Sequence, residues 1–223
     1  MKIQTNSRKY EGQCKFCKND FTKKEITQHL DVCQNRKKDK NIKNLRLRII
    51  YPYIKKFWLI VEVNEQAKLK DLDNLIRNVW VECCGHLSLF GDYKNEIGKA
   101  KIIIDTLNLG DAVNYIYDFG SSTELVIETL EYTNYQLNKK GKVELVARNY
   151  LPFSNCVKCG QQATQICYAC YEQEEPCLIC DICAKKYHNE ENEKEEHYIL
   201  PLVNSPRAGI CGYKSSEPLD KLF

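Results

Sequence analysis

The chain has 223 residues and a formal charge of +3, and 13 of its residues are cysteines. Its first residues, MKIQTNSRKYEGQC, contain no apolar stretch suited to a secretory signal, and its longest apolar run, FWLIVEV, is too short to span a membrane. We therefore expect a cytoplasmic protein with reduced thiols, which argues against a disulfide framework and favours metal ligation for clustered cysteines.

The cysteines divide the chain into three parts. Three of them lie in residues 14–33, an adjacent pair occupies 83–84, and eight lie in 156–211. The overall hydrophobic content of 43% is enough for a conventional core in the Cys-poor middle. We predict a C2HC-type zinc finger over 1–34, a basic linker over 35–44, an α+β domain over 45–150 and a Cys/His-rich binuclear zinc module with a C-terminal tail over 151–223.

The first cysteine group, CKFCKNDFTKKEITQHLDVC, has the spacing C-x2-C-x11-H-x3-C, close to that of a ββα zinc finger. A C-x2-C turn aims two sulfurs at one point, and H-x3-C places two ligands one helical turn apart. Thr22 and Glu25 form a capping box, which predicts a helix from about Lys23 to Cys33. So small a unit buries too little apolar surface to fold alone, and zinc would supply its stability. The predicted ligands are Cys14, Cys17, His29 and Cys33.

A basic segment follows the predicted finger. Residues 1–48 contain 14 Lys or Arg against 5 Asp or Glu, while the whole chain carries only +3. This asymmetry favours a nucleic-acid partner, because Lys and Arg neutralise backbone phosphates. A solvated linker or a protein contact is the alternative that the sequence leaves equally open. The candidate nucleic-acid contacts are Lys24, Gln28, Arg36, Lys37, Lys38 and Lys40.

The middle of the chain reads as a mixed domain. LRLRIIY and FWLIVEV predict two strands of a hairpin, and LKDLDNLIRNVWVE has the apolar periodicity of an amphipathic helix. AVNYIYDFG, LVIETLEY and KVELVARN predict further antiparallel strands. The predicted fold class is α+β, a central mixed domain with β-hairpin, amphipathic helix and further strands, flanked by two small zinc-stabilised modules.

Three segments of the middle also resemble a known family. The hairpin with its helix, GHLSLF and NYIYDFG together resemble the plasmid pRi ORF-3-like domain, which carries a TnpR-type label as a passenger of insertion elements. The resemblance implies the fold and an association with plasmids or mobile elements. Members continue YDFG with an acidic residue, a Trp and a His, whereas this chain continues with Ser121, Ser122 and Thr123. The matching motif residues are His86, Leu87, Phe90, Tyr117, Asp118, Phe119 and Gly120.

The middle offers little for catalysis. A serine recombinase needs several arginines around the scissile phosphate, and only Arg77 and Arg148 lie between Ile49 and the end of the domain. His86 and Asp118 are candidates for an acid–base pair, although a structural role for both is favoured.

The adjacent cysteines of the middle pose a separate question. Cys83 and Cys84, with His86, would begin a metal site, but no fourth donor is nearby in the sequence. A role as buried thiols is therefore favoured.

The tail holds three C-x2-C pairs and two histidines, a pattern that resembles B-box-like cross-brace modules. In a cross-brace, pairs one and three share one metal, and pairs two and four share the other. A filled set of donors predicts closed structural sites, not redox or catalytic ones. Cys177 competes with Cys183 as a ligand; Cys211 either replaces His197, or its segment docks on the middle domain. The predicted ligands are Cys156, Cys159, Cys167, Cys170, Cys180, Cys183, His188 and His197.

These patterns together predict a protein that binds about three Zn²⁺ ions per chain. We expect a non-catalytic adaptor that binds nucleic acid, protein or both, without membrane association, and the sequence leaves its oligomeric state open. The alternative is a recombinase-associated enzyme that processes nucleic acid with His86 and Asp118.

Overall fold

The computed structural model describes residues 11–138, 141–152, 155–172, 175–187 and 199–215, with the side chains of 168–172 and 175–176 left out. The fold is mixed α and β with a large antiparallel sheet, which confirms the predicted fold class. None of the helices in these ranges is long and apolar enough to cross a membrane.

A nine-stranded antiparallel sheet forms the body of the protein, in the order β2-β1-β9-β4-β3-β8-β7-β5-β6. The predicted hairpin is present, with Asn44 opposite Asn64 and Ile50 opposite Trp58. The strands are β1 (Gly12–Cys14), β2 (Asp20–Phe21), β3 (Asn44–Ile50), β4 (Trp58–Asn64), β5 (Ser88–Gly91), β6 (Glu96–Ile97), β7 (Ala112–Tyr117), β8 (Thr123–Thr133) and β9 (Val143–Asn149).

One face of the sheet carries the main apolar core. The predicted amphipathic helix, α2 (Leu69–Ile76), continues as a π-helix over Arg77–Val81 and buries its apolar stripe here. A short helix, α3 (Ile103–Thr106), adds Ile103 to the same core. Because residues at i, i+3 and i+7 share one side of a helix, Leu69, Leu72 and Ile76 all reach the sheet.

The N-terminal segment covers the opposite face. Helix α1 (Lys23–Leu30) buries Ile26 and Leu30 in a second core with Trp58 and Ile60 of β4. This second contact explains why six successive residues of β4 are buried, because a strand that is covered on both faces of the sheet has no side exposed to solvent. The head, predicted as a zinc finger over 1–34, therefore packs as a layer on the central sheet.

The edge of the head continues the central sheet. Strand β1 pairs with β9, where Gly12 lies opposite Asn149. A side chain at position 12 would lie 2.2 Å from the carbonyl oxygen of Arg148 and 2.5 Å from the Trp58 ring. Only glycine permits this approach of the strand to the sheet.

A buried ion-pair network fastens the head to the sheet. The Glu62 carboxylate on β4 accepts from Arg36 Nη2 at 2.5 Å and from Arg46 Nε at 3.0 Å. Arg46 also reaches Asp31 at the end of α1, at 2.9 Å. All three side chains of the central triad are at most 1% exposed. Removal of one charge would leave the others uncompensated in a medium of low dielectric constant.

The predicted basic linker over 35–44 is also docked. Gln136 N donates to Lys37 O at 2.9 Å, and Asp39 N donates to Asn134 O at 2.8 Å. These bonds hold the segment along the end of β8, so the part of the chain that the structure describes contains no free tether between head and sheet.

The tail forms a second, three-stranded sheet in the order β11-β10-β12, followed along the chain by a return to the central domain. Ser205 Oγ donates to the Trp80 carbonyl at 2.5 Å, and Arg207 pairs with Asp118 at 2.6 Å. Of the two possibilities that the sequence left open, the NSPRAGICGY segment docks on the middle domain. The elements are β10 (Gln165–Glu172), β11 (Glu175–Ile179), α4 (Asp181–Tyr187) and β12 (Ile199–Pro201).

We predict that Glu62→Ala lowers the free energy of unfolding by about 3–5 kcal/mol, because Arg36 and Arg46 lose the buried carboxylate that they share. Glu128→Ala is the matched control: Glu128 pairs with Arg48 at 2.6 Å, but both side chains are about 30% exposed. That pair should contribute only about 0–1 kcal/mol. Urea unfolding with an unchanged denaturant slope measures both values, and equal effects of the two substitutions would contradict a buried network.

Candidate metal centres

The first centre lies where β1, α1 and the turn after α1 meet. Its Cys17 Sγ lies 3.2 Å from His29 Nε2, and all four donor atoms lie within 4.8 Å of one another. The Phe21 ring stacks on the imidazole at 4.0 Å between centroids and fixes its orientation. The donors are the four that the sequence predicts, Cys14, Cys17, His29 and Cys33.

The helix that supplies His29 is shorter than predicted. It ends at Leu30, and Asp31 is its C-cap, so Cys33 lies in the following turn and not on the helix. The predicted capping box is present, with Glu25 N donating to Thr22 Oγ1 at 3.2 Å. The start of the helix was therefore predictable from the local capping box. Its end depends on the turn that brings Cys33 to the first centre, which a local pattern does not specify.

The second centre uses the same backbone turn as the first. Lys18 follows Cys17 with a φ of 60°, and its N–H donates to Cys14 O at 3.0 Å. Gly160 follows Cys159 with a φ of 76°, and its N–H donates to Cys156 O at 2.9 Å. A left-handed residue after the second cysteine curls the C-x2-C loop, so both sulfurs point to one side.

Pairs one and three of the tail share the second centre, as the cross-brace pattern predicts. Cys159 Sγ lies 3.6 Å from Cys180 Sγ, and Cys183 lies in the first turns of α4. The donors are Cys156, Cys159, Cys180 and Cys183, and they also lie within 4.8 Å of one another.

Hydrogen bonds from backbone amides lower the pKa of one thiol of the second centre, which favours the thiolate that a metal binds. Burial alone raises the pKa of the Cys156 thiol, but hydrogen bonds from the backbone N–H groups of Cys180, Cys159 and Lys158 outweigh it and lower the pKa to about 6. In the first centre, burial raises the pKa of the Cys14 thiol to about 12. In either centre a bound cation would keep the thiols ionised, because metal coordination deprotonates thiols.

A third cluster joins residues that are far apart in the sequence. Cys84 Sγ lies 3.0 Å from His86 Nε2, 3.7 Å from Cys83 Sγ and 3.8 Å from Cys211 Sγ. The sequence-based view that Cys83, Cys84 and His86 lack a fourth donor is therefore wrong, because the docked tail supplies Cys211. Cys83 is half-buried and Cys84 is exposed, so the predicted buried-thiol role is wrong as well.

The residues of the plasmid pRi ORF-3-like motif surround the third cluster. His86 Nε2 lies 3.4 Å from Asp118 Oδ2, and Asp118 Oδ1 accepts from Gly120 N at 3.0 Å. Asp118 has a φ of 64°, a strained conformation that its side-chain bonds stabilise. Tyr117 is buried beneath the cluster, whereas Phe119 is exposed.

Positive charge lies beside the third cluster. The Arg207 guanidinium is fully buried and bonds to Asp118, to Ser121 O and to Thr123 Oγ1. Burial raises the pKa of the Cys83 thiol, but hydrogen bonds from Arg207 and the Tyr117 hydroxyl outweigh it and leave the pKa below its usual value. The same arginine keeps the pKa of Asp118 low against the opposing effect of burial.

The remaining predicted tail ligands do not form a cluster among the described residues. Cys167 is buried in β10 and lies opposite Cys177 of β11. The side chain of Cys170 and both histidines, His188 and His197, lie outside the described residues. Cys177 belongs to none of the clusters found in the part of the chain that is described, which agrees with the choice of Cys183 over Cys177.

The predicted nucleic-acid contacts separate into exposed and buried residues. Lys24 and Gln28 lie one turn apart on the exposed side of α1. Arg36 was predicted as a contact but is buried against Glu62, between the rings of Phe16 and Tyr135. The remaining candidates, Lys37, Lys38 and Lys40, are exposed.

No protein-family model and no curated protein matches the chain. Among solved structures, the chain is similar to the crystal structure of a protein of unknown function, MM3350 from Methanosarcina mazei Go1. The match has 18% sequence identity and a TM-score of 0.40, and covers 48% of this chain and 69% of that chain. The resemblance to the plasmid pRi ORF-3-like family stays a prediction.

We predict that Cys180→Ser removes one metal equivalent, because the second centre loses a donor at which binding is coupled to folding. In cobalt-substituted protein, the absorption of a four-thiolate site should disappear while that of the first centre persists. Cys177→Ser is the matched control, since Cys177 is nearby but outside the cluster. Loss of the four-thiolate absorption in Cys177→Ser, or its survival in Cys180→Ser, would contradict the assignment.

Proposed function

We propose that the chain is a non-catalytic zinc-binding adaptor that binds nucleic acid through its N-terminal layer. The observation that carries the proposal is the closure of its metal centres: each cluster in the described residues supplies four protein donors. A catalytic zinc usually has three protein ligands and keeps one position for water or substrate. Thiolate and imidazole donors in sets of four favour Zn²⁺ over the hard cations Mg²⁺ and Ca²⁺.

The geometry offers the enzyme alternative little support. His86 and Asp118 lie close together, but Asp118 already accepts from Arg207 at 2.6 Å. His86 Nε2 points into the thiol cluster, 3.4 Å from Cys211 Sγ. An acid–base pair needs a free carboxylate and an imidazole that reaches a substrate, and both groups here have other partners.

The distribution of charge in the N-terminal layer supports a phosphate partner. Arg36 of the docked segment and Arg46 and Arg48 of the neighbouring strand β3 all form ion pairs with Glu residues. Lys24 is exposed on α1, and four exposed lysines lie in the docked segment over 35–44: Lys37, Lys38, Lys40 and Lys43. Solvated lysines suit non-specific contacts to backbone phosphates, which release counterions.

The central domain and the tail would take a protein partner. The exposed rings of Tyr93 and Phe119 pack edge to face at 5.4 Å between centroids. Leu87 is 71% exposed, and its carbonyl accepts from Asp118 N, so it lies beside the same loop. A neighbouring set of exposed apolar side chains is typical of interaction surfaces. The resemblance to the plasmid pRi ORF-3-like family adds an association with plasmids or mobile elements to this proposal.

We predict that replacing Lys37, Lys38 and Lys40 by Ala weakens binding to duplex DNA or RNA of any sequence. If each lysine contacts one phosphate, the slope of log K against log salt should become shallower by about 2.7 on DNA. Fluorescence anisotropy of the full chain over a series of salt concentrations measures both the affinity and the slope.

A second triple variant controls for net charge. Lys70, Lys94 and Lys101 are also exposed but belong to the α2 side of the sheet and its neighbouring loops. Their replacement by Ala changes the charge equally and should leave the salt slope unchanged. Equal losses in the two variants, or no binding at low ionic strength, would contradict the nucleic-acid proposal. The latter result would favour a purely protein-binding adaptor.

A further inference from the structure

The third cluster has the dimensions of an occupied tetrahedral site. With zinc–sulfur bonds of about 2.3 Å, two sulfurs of a tetrahedron lie about 3.8 Å apart. The two described sulfur–sulfur distances around Cys84 are 3.7 and 3.8 Å, and His86 Nε2 lies 3.4 Å from Cys211 Sγ. A disulfide would need a separation of about 2.05 Å. The four side chains converge on a point without a disulfide among them, and the shortest contact joins Cys84 Sγ to His86 Nε2 at 3.0 Å.

Turns in the backbone at Gly85 and at Cys211 bring the four side chains together. Adjacent side chains of an extended chain point to opposite sides, so two neighbouring cysteines meet at one point only across a turn. Gly85 has a φ of 84°, and its N–H donates to Glu82 Oε1 at 2.6 Å, which bends the chain directly after Cys84. On the tail, Cys211 itself has a φ of 52°, a conformation that non-glycine residues rarely adopt.

Charge balance fits a cation with three thiolates. Such a site with Zn²⁺ carries a net charge of −1. The buried Arg207 lies next to it, held by Asp118 at 2.6 Å and by Thr123 Oγ1 at 3.0 Å. A buried guanidinium stabilises the excess negative charge of the site, and the carboxylate orients the guanidinium.

We propose that Cys83, Cys84, His86 and Cys211 form a third structural zinc site, a clasp that fastens the C-terminal segment 204–215 to the central domain. Cys211 lies 125 to 128 residues after the other three donors, so coordination closes a very long loop. Crosslinks of this kind restrict the unfolded chain most when the loop is long. The second centre and its three-stranded sheet lie within that loop, so the clasp anchors the tail module at its far end.

The clasp also explains why the segment can dock with little apolar area. Its described anchors are largely polar: Ser205 to the Trp80 carbonyl, Arg207 to Asp118, and Asn204 Oδ1 accepting from Asn149 at 2.8 Å. Tyr213 is its main buried aromatic side chain. Polar contacts of this kind replace hydrogen bonds to water and contribute little net stability, which favours an additional crosslink. The inference does not depend on the nucleic-acid proposal.

The test is the metal content of the full chain, purified without added metal and measured by elemental analysis. His86→Ala and Cys211→Ser should each lose one zinc equivalent relative to the wild-type chain, with the first and second centres intact. His86→Cys restores a donor and should keep the zinc. Lys214→Ser is the matched control, because Lys214 is exposed on the same segment and is outside the cluster.

Limited trypsin digestion gives a second readout that separates a clasp from general unfolding. In the variants without the clasp, cleavage after Arg207 should become several-fold faster, while a fragment containing the central sheet persists. Unchanged zinc in both His86→Ala and Cys211→Ser would overturn the proposal. So would a Cys84–Cys211 disulfide in the purified chain, or unchanged protection of the segment when the zinc is lost.

Discussion

Four donor atoms lie within 4.8 Å of one another in each centre, so ionised thiols there would repel one another and the protein must compensate their negative charge. Burial raises the pKa of Cys14 to about 12, so a metal-free first centre would keep that thiol protonated. A divalent cation reverses this preference and converts repulsion among thiolates into bonds. The small peripheral segments would gain most from such bonds, because β1 with its helix and the three-stranded sheet bury few apolar side chains of their own.

The central sheet is a second constraint, because apolar side chains on both of its faces must be shielded from solvent. Trp58 and Ile60 point to the head, while Leu59 and Val61 point to α2, and all four are fully buried. The zinc-finger-like layer therefore has a structural partner that an isolated finger lacks. One side of its helix faces solvent and carries Lys24. Most of the accessible positive charge of this layer comes from the lysines of the docked segment over 35–44.

The sequence predicts those parts of the molecule whose signals are local. The hairpin, the amphipathic helix and the capping box of α1 depend on neighbouring residues, and they are present as predicted. The ligands of the first centre are also read from their spacing. The sharing of one centre by pairs one and three of the tail was harder to predict, but interleaved C-x2-C pairs can share metals in only a few ways.

Features that depend on distant contacts escaped prediction for a physical reason. Arg36 has the sequence character of a phosphate contact, and only its position next to Glu62 makes it a buried charge. The pairing of β1 with β9, more than a hundred residues later, joins the head to the central sheet, and no local pattern indicates it. Cys211 is separated from His86 by 125 residues, so no spacing pattern could connect them. In each case the tertiary fold, not the local pattern, assigns the role.

The loop after β7 connects the third cluster to the docked tail. It carries Ser121, Ser122 and Thr123 directly after Gly120. The Ser121 carbonyl and the Thr123 hydroxyl both accept hydrogen bonds from Arg207 at 3.0 Å. Small side chains therefore lie where the tail arginine enters. Asp118 accepts from the same guanidinium at 2.6 Å, so the loop after β7 and the docked tail form one hydrogen-bonded unit beside the third cluster.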